Sequence, residues 1–86
     1  MTNKHKGFIL TPGGGGGVYK PRVWVHFSHQ RTVVGEFLSK CSMWAGADAE
    51  HGDWIAYECR QENLDKATAQ LVAWGFELVG NDHLGD

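Results

Sequence analysis

The sequence lacks any long hydrophobic run. Behind Lys4 and Lys6 the apolar stretch is only Phe8-Ile9-Leu10, whereas a secretory core needs about 7–15 apolar residues and a membrane span about 20. The expectation is a cytoplasmic chain with no membrane partner. In that compartment its only two cysteines, Cys41 and Cys59, stay reduced. Acids are nearly missing from the first half and bases from the second. Residues 1–42 hold six Lys/Arg and one acid, Glu36, for a charge of +5; residues 43–86 hold Arg60 and Lys66 against nine acids, for −7. Such a dipole orients encounters with partners and says little about fold.

Signatures of catalysis are missing as well. The glycine tract 13–17 suggests a phosphate loop, but five positions after Gly13 stands Val18 and no Gly-Lys pair follows. The dinucleotide fingerprint fails because no helical pattern follows the glycines. There is no Gly-x-Ser-x-Gly elbow and no paired Cys–His motif. His26 and His29 have zinc-like local spacing, and Cys41 and Cys59 could complete a set of four. The two cysteines, however, fall on core-facing positions, while His26 points to the other side of its strand. Asp48, Glu50 and Asp53 lack the spacing of a calcium loop. No metal, no cofactor and no enzyme activity is expected.

What remains is enough for one domain. The chain has 86 residues, 42% of them hydrophobic and 12% aromatic. A domain this small buries only about 60% of its unfolded surface, so the four Trp and four Phe carry much of the burial. The composition divides the chain into an arm at 1–20, an α+β domain at 21–80 and a polar tail at 81–86. Within the arm, the glycines have high backbone entropy and nothing to bury. The tract should be mobile and the arm dispensable for stability, with Phe8-Ile9-Leu10 able to add a short edge strand.

After Pro21 the patterns become regular. Val23, Val25 and Phe27 alternate along one face of a strand. Ser28 suits the N-cap of a helix whose stripe is Val33, Val34, Phe37, Leu38 and Cys41. Gly35 inside that stripe costs about 1 kcal/mol relative to Ala and implies a close contact. The turn His51-Gly52-Asp53 leads into a second strand with Ile55, Tyr57 and Cys59 on one face. Residues 43–50 are expected to pair back across that turn. Asn63 suits the cap of a second helix through Leu64, Ala67, Leu71 and Trp74, Gly75 its left-handed terminator, and 76–79 a last strand.

Strand, helix, strand, strand, helix, strand (βαββαβ) is the ferredoxin-like split βαβ sandwich of the α+β class. It has two helices on one face of a four-stranded antiparallel sheet, here preceded by the Gly-rich N-terminal arm. If 43–50 forms no strand, a three-stranded βαβαβ sheet results. Right-handed crossovers set the two most apolar strands side by side in the centre. Trp24 and Trp54 then project onto the open face, shared with His26, Ala56, Glu58 and Glu77. Indoles on an open face must be covered or used, and Trp is enriched at binding hot spots.

The leading expectation is therefore a non-catalytic protein-binding module. It would be a small inhibitor or regulator docking onto a larger complex, with Trp24, Trp54, His26, Glu58 and Glu77 meeting a protein partner or a second copy. The alternative is a nucleic-acid binder using the basic residues Lys4, Lys6, Lys20, Arg22 and Arg31; a small enzyme with an unrecognised site comes third. RNA-recognition modules resemble the predicted sheet in topology alone. Their Lys/Arg-Gly-aromatic signature is absent, and Glu58 and Glu77 would repel phosphates.

Overall fold

The computed structural model describes residues 4–13 and 20–85. Five strands, β1 Gly7–Thr11, β2 Arg22–His26, β3 Ala49–His51, β4 Trp54–Glu58 and β5 Glu77–Leu78, form one sheet with two helices, α1 Val33–Cys41 and α2 Gln61–Ala73. Short 3-10 turns occupy Lys4–Lys6, Phe27–His29 and Asn81–Gly85. The sheet order is β3-β4-β2-β1-β5. Neighbours run antiparallel except β1 and β5, which are parallel. The protein is thus α+β with two helices, but its sheet is five-stranded and mixed rather than four-stranded and antiparallel.

The difference has a single origin in the arm. Phe8-Ile9-Leu10 belongs to β1, which lies between β2 and β5 rather than at an edge. Phe8 pairs with Val25 on one side and with Leu78 on the other. β5 therefore never touches β2, as the four-stranded arrangement required. Both side chains carry the reason: Phe8 joins the core under the helices, and Ile9 is fully buried on the opposite face. An edge strand would leave such apolar surface half-exposed, and burying it is worth roughly 1.5–3 kcal/mol per side chain. This segment is therefore an interior strand of the sheet and not a loose arm. The expected mobility of the glycine tract concerns mainly 14–17, outside the described residues.

The helices follow the predicted stripes with shifted ends, except that Val33 is exposed at the start of α1. Phe27, expected on the inner face of its strand with Val23 and Val25, is exposed as well, because β2 ends at His26 and the chain turns there into the 3-10 segment. Ser28 lies in the 3-10 turn, and α1 begins only after Thr32, whose hydroxyl accepts the Val34 N–H at 3.2 Å. A Cβ at Gly35 would overlap the carbonyl oxygens of His29 and Gln30. The glycine lets the chain fold back tightly onto the start of the helix. At α2 the N-cap residue is Arg60, with no side-chain cap. Asn63 instead donates its side-chain N–H to the Cys41 carbonyl at 3.2 Å, closing the end of α1. The far end of α2 is a Schellman termination. Gly75 has φ +91°, its N–H bonds the Val72 carbonyl at 3.0 Å, and the Phe76 N–H bonds that of Leu71 at 2.9 Å.

Of residues 43–50, only Ala49 and Glu50 fall within a strand; 43–48 form a loop. The last predicted strand shrinks to Glu77–Leu78. The expected tail curls into the 3-10 turn Asn81–Gly85, and Leu84 packs back on the sheet. No helix among the described residues is long and apolar enough to cross a membrane.

Candidate interaction surface

The two tryptophans take the face that strand alternation assigned to them. Trp24 is in register with Ala56, and His26 with Trp54, so all four side chains lie away from the helices. The face is not open there. Trp54 is 0% and Trp24 9% exposed, packed with Ile9 and Ala56 and covered by Ala49, Val79 and Leu84. The Trp24 indole N–H donates to the Thr11 hydroxyl at 3.0 Å, while that of Trp54 is buried without a partner among the described residues. His26 and Glu58 are buried as well, and Glu77 is exposed on β5. The sheet separates Glu77 from Glu58 by two strands, so the five expected contact residues do not form one exposed patch.

Polar chemistry collects instead at the two ends of β2 and β4. At the end marked by His26, its Nδ1 accepts the Ser28 backbone N–H at 3.2 Å and lies 2.8 Å from the Ser28 hydroxyl. The His5 ring stacks on it at 3.9 Å, and the His29 Nε2 meets the His5 carbonyl. The Lys6 ammonium sits 4.9 Å over the Phe76 ring. This arrangement caps the 27–29 turn and ties the N-terminal segment to the sheet. Cys41 and Cys59 are buried on the helix side, so the set His26, His29, Cys41, Cys59 does not converge. Burial pushes the Cys59 thiol up to about 11, aided by Cys41, Asp48 and Glu58. Burial likewise raises Cys41, which leaves both thiols weak nucleophiles. Among the described residues no group of three or more His, Cys, Asp or Glu is placed to hold a metal ion.

At the opposite end, Arg22 bridges two carboxylates. Its guanidinium meets Asp48 Oδ2 at 2.9 and 3.0 Å and Glu58 Oε2 at 3.2 Å. Asp48 Oδ1 accepts the Glu58 backbone N–H at 3.0 Å. Glu58, only 6% exposed, spends its other oxygen on the indole N–H of Trp44 at 3.2 Å. Charge-assisted bonds of this kind are about twice as strong as neutral ones. Arg22, one of the basic residues named for nucleic acid, is thus ion-paired with two carboxylates. Lys6 and Arg31 are exposed, and the Lys4 side chain lies outside the described residues.

Trp44 is the exception among the aromatics of this network: 63% of it is exposed, next to the exposed Met43. The loop that presents it is held from inside. The Ser42 hydroxyl accepts the Trp44 N–H at 3.0 Å and donates to the Gly46 carbonyl at 2.9 Å. The Met43 N–H bonds the Glu58 carbonyl at 2.8 Å. Between them Ala45 adopts φ +58°, a left-handed conformation costing a non-glycine residue roughly 1–2 kcal/mol. Strain of this sort persists only where surrounding bonds over-determine it. Two shallow clefts flank the loop. One of about 270 Å³ is lined by Gln30, Ala47, Asp48, Ala49, Glu50 and Ile55, and one of about 340 Å³ by Gln30, Glu36, Ser39, Lys40 and Ala45.

Sequence reasoning passed over Trp44 because it read 43–50 as a strand. The signal was there: Ser42 and Gly46 bracket the indole, and the run from Ala45 to Ala49 is too small-sided to fill a pleated surface. Comparison of the chain with protein-family models, curated proteins and solved structures returned no match.

Proposed function

We propose that the protein is a non-catalytic protein-binding module, a small inhibitor or regulator of a larger assembly, whose anchor is the loop around Trp44. One observation carries this reading: Trp44 is exposed, yet its indole is fixed by the buried Glu58. A solvent-facing Trp held in one rotamer loses little entropy on binding and offers a large amphipathic surface, the properties that enrich Trp at hot spots. Met43 adds adaptable apolar area beside it. Trp24 and Trp54, first candidates for this role, act as the foundation of the sheet instead.

The test starts from the native host. The tagged wild-type chain is used to isolate a partner, which is identified, purified and titrated against wild type and Trp44→Ala. The variant should bind about thirtyfold or more weakly while keeping a cooperative melt and the wild-type circular dichroism spectrum at the titration temperature. Equal affinity of the two chains refutes the assignment. Nucleic acid as the species that survives moderate salt would move the protein to the other class.

A further inference from the structure

The sheet has two edges, and they are built differently. β5 is two residues long. β3 is three residues long and lies beside the shallow cleft of about 270 Å³, and among the described residues only its β4 side is paired. Natural edge strands are commonly guarded by Lys, by Pro or by a covering element. Ala49-Glu50-His51 contains neither residue, and no Lys or Arg stands anywhere between Lys40 and Arg60. That stretch carries Asp48 and Glu58, which Arg22 bridges, and Glu50 on β3 itself. Glu50 is in register with Ile55, so both side chains take the same face. Both line the cleft of about 270 Å³ with Gln30 and Ala47.

We infer that the outer edge of β3 takes an extended, Lys- or Arg-bearing segment of a partner protein as an added strand, its basic side chains lying over Glu50. Main-chain hydrogen bonds supply affinity in this mode, and alternate side chains entering the cleft supply selectivity. A second copy of the chain fits worse. Two-fold antiparallel pairing of β3 centred on Glu50 sets Glu50 against Glu50, and like charges directly opposite are destabilising. The inference rests on the reading of the chain as a protein-binding module, but not on Trp44.

The probe is an acetylated, amidated peptide alternating valine and lysine, titrated into the isotope-labelled full chain and followed by amide NMR and hydrogen exchange. Binding should perturb the amides of Ala49, Glu50 and His51 and protect those of the three whose N–H faces away from β4. Glu50→Lys should weaken it roughly tenfold, and Trp44→Ala should leave it unchanged. Two control peptides, one with glutamate for lysine and one with proline for alternate valines, should fail. Equal binding of the proline peptide would reduce the effect to charge and overturn strand addition. So would protection elsewhere in the chain, absence of binding, loss of binding in Trp44→Ala, or sedimentation showing that a second copy holds the edge. A failed peptide alongside a Trp44-dependent native partner overturns the edge alone. A bound peptide alongside a Trp44-independent partner overturns the loop alone.

Discussion

One face of the sheet is buried by two helices, the other by a few residues from the chain's own ends. On the helix side, Phe8, Val23, Val25, Ile55 and Tyr57 meet Val34, Leu38 and Cys41 of α1 and Leu64, Ala67 and Leu71 of α2. On the far side no α-helix of the described residues lies over the sheet. Trp24, Trp54, Ile9 and Ala56 are covered by Val79 and Leu84, with Ala49 at the margin. Trp54 is nevertheless as inaccessible as Leu38. Two indoles, each able to bury about 150–250 Å², fill most of that side by packing against one another's neighbours. A light cover completes it, and the segments that supply it become structural parts.

The largest test of this comparison removes what both faces share. β1 gives Phe8 to one core and Ile9 to the other, and it alone joins β5 to the sheet. Deleting residues 1–11 should lower the melting temperature by more than about 10 °C or abolish the cooperative transition, as read by circular dichroism. A melt close to wild type would show that β2 and β5 close the gap by themselves.

Next in size is a matched pair. Leu38→Ala cuts the helix-covered core and Trp54→Ala the end-covered one. Side-chain losses at such buried sites cost about 2–5 and 3–5 kcal/mol respectively. Urea titrations should place the two variants within about 2 kcal/mol of each other. If Trp54→Ala costs under about 1 kcal/mol, the second face is a loose covering and the symmetry of the comparison fails.

The helix side also carries a pH signature. Burial raises the Cys59 thiol from 9.0 to about 11 and raises Tyr57 as well. For an acid whose folded value is raised, the folded state prefers the proton. The stability this gives is therefore present below the unfolded value and lost as pH climbs through the folded one. Over the window from about 9 to about 11 the loss is roughly 2–3 kcal/mol for Cys59. Urea midpoints measured across that window should fall more steeply for wild type than for Cys59→Ala. Parallel curves would mean that the thiol is accessible in the folded chain.

How far these features were legible in the sequence depended on whether the signal was local. Alternation in Val23-Trp24-Val25 and Ile55-Ala56-Tyr57 fixed which face each side chain takes, and the helical stripes and Gly75 were equally readable, because period and left-handed φ are properties of short windows. The place of Phe8-Ile9-Leu10 was not. Sheet order is set by contacts across long separations, and three apolar residues before a glycine tract look the same at an edge as in the middle. The cover from Leu84 was hidden for the same reason, in a stretch whose composition is otherwise polar. Glu58 was assigned correctly to the face of Trp54. Its tie to Arg22 follows from the β2–β4 register, whereas those to Asp48 and Trp44 arise from the loop 42–48, whose conformation depends on one hydroxyl and one left-handed alanine.

The smallest expected effect falls on that cover. Leu84 is only partly buried and lies in a 3-10 turn whose one backbone bond among those outside regular elements runs from the His83 N–H to the Gly80 carbonyl at 3.1 Å. Leu84→Ala should therefore cost about 1 kcal/mol, less than a fully buried leucine, because a partly exposed side chain loses only part of the transfer energy and leaves no closed cavity. The informative readout is local. Trp54 lies beneath Leu84 in a dry setting, so removing the leucine should shift tryptophan emission to the red and raise its quenching by iodide while the melting temperature moves by only about 4–8 °C. Trp44, already exposed, contributes quenchable emission in both chains, and a Trp44→Phe background removes it. If emission in that background is unchanged by Leu84→Ala, the indole face is sealed by Ile9, Ala49 and Val79 without the C-terminal turn.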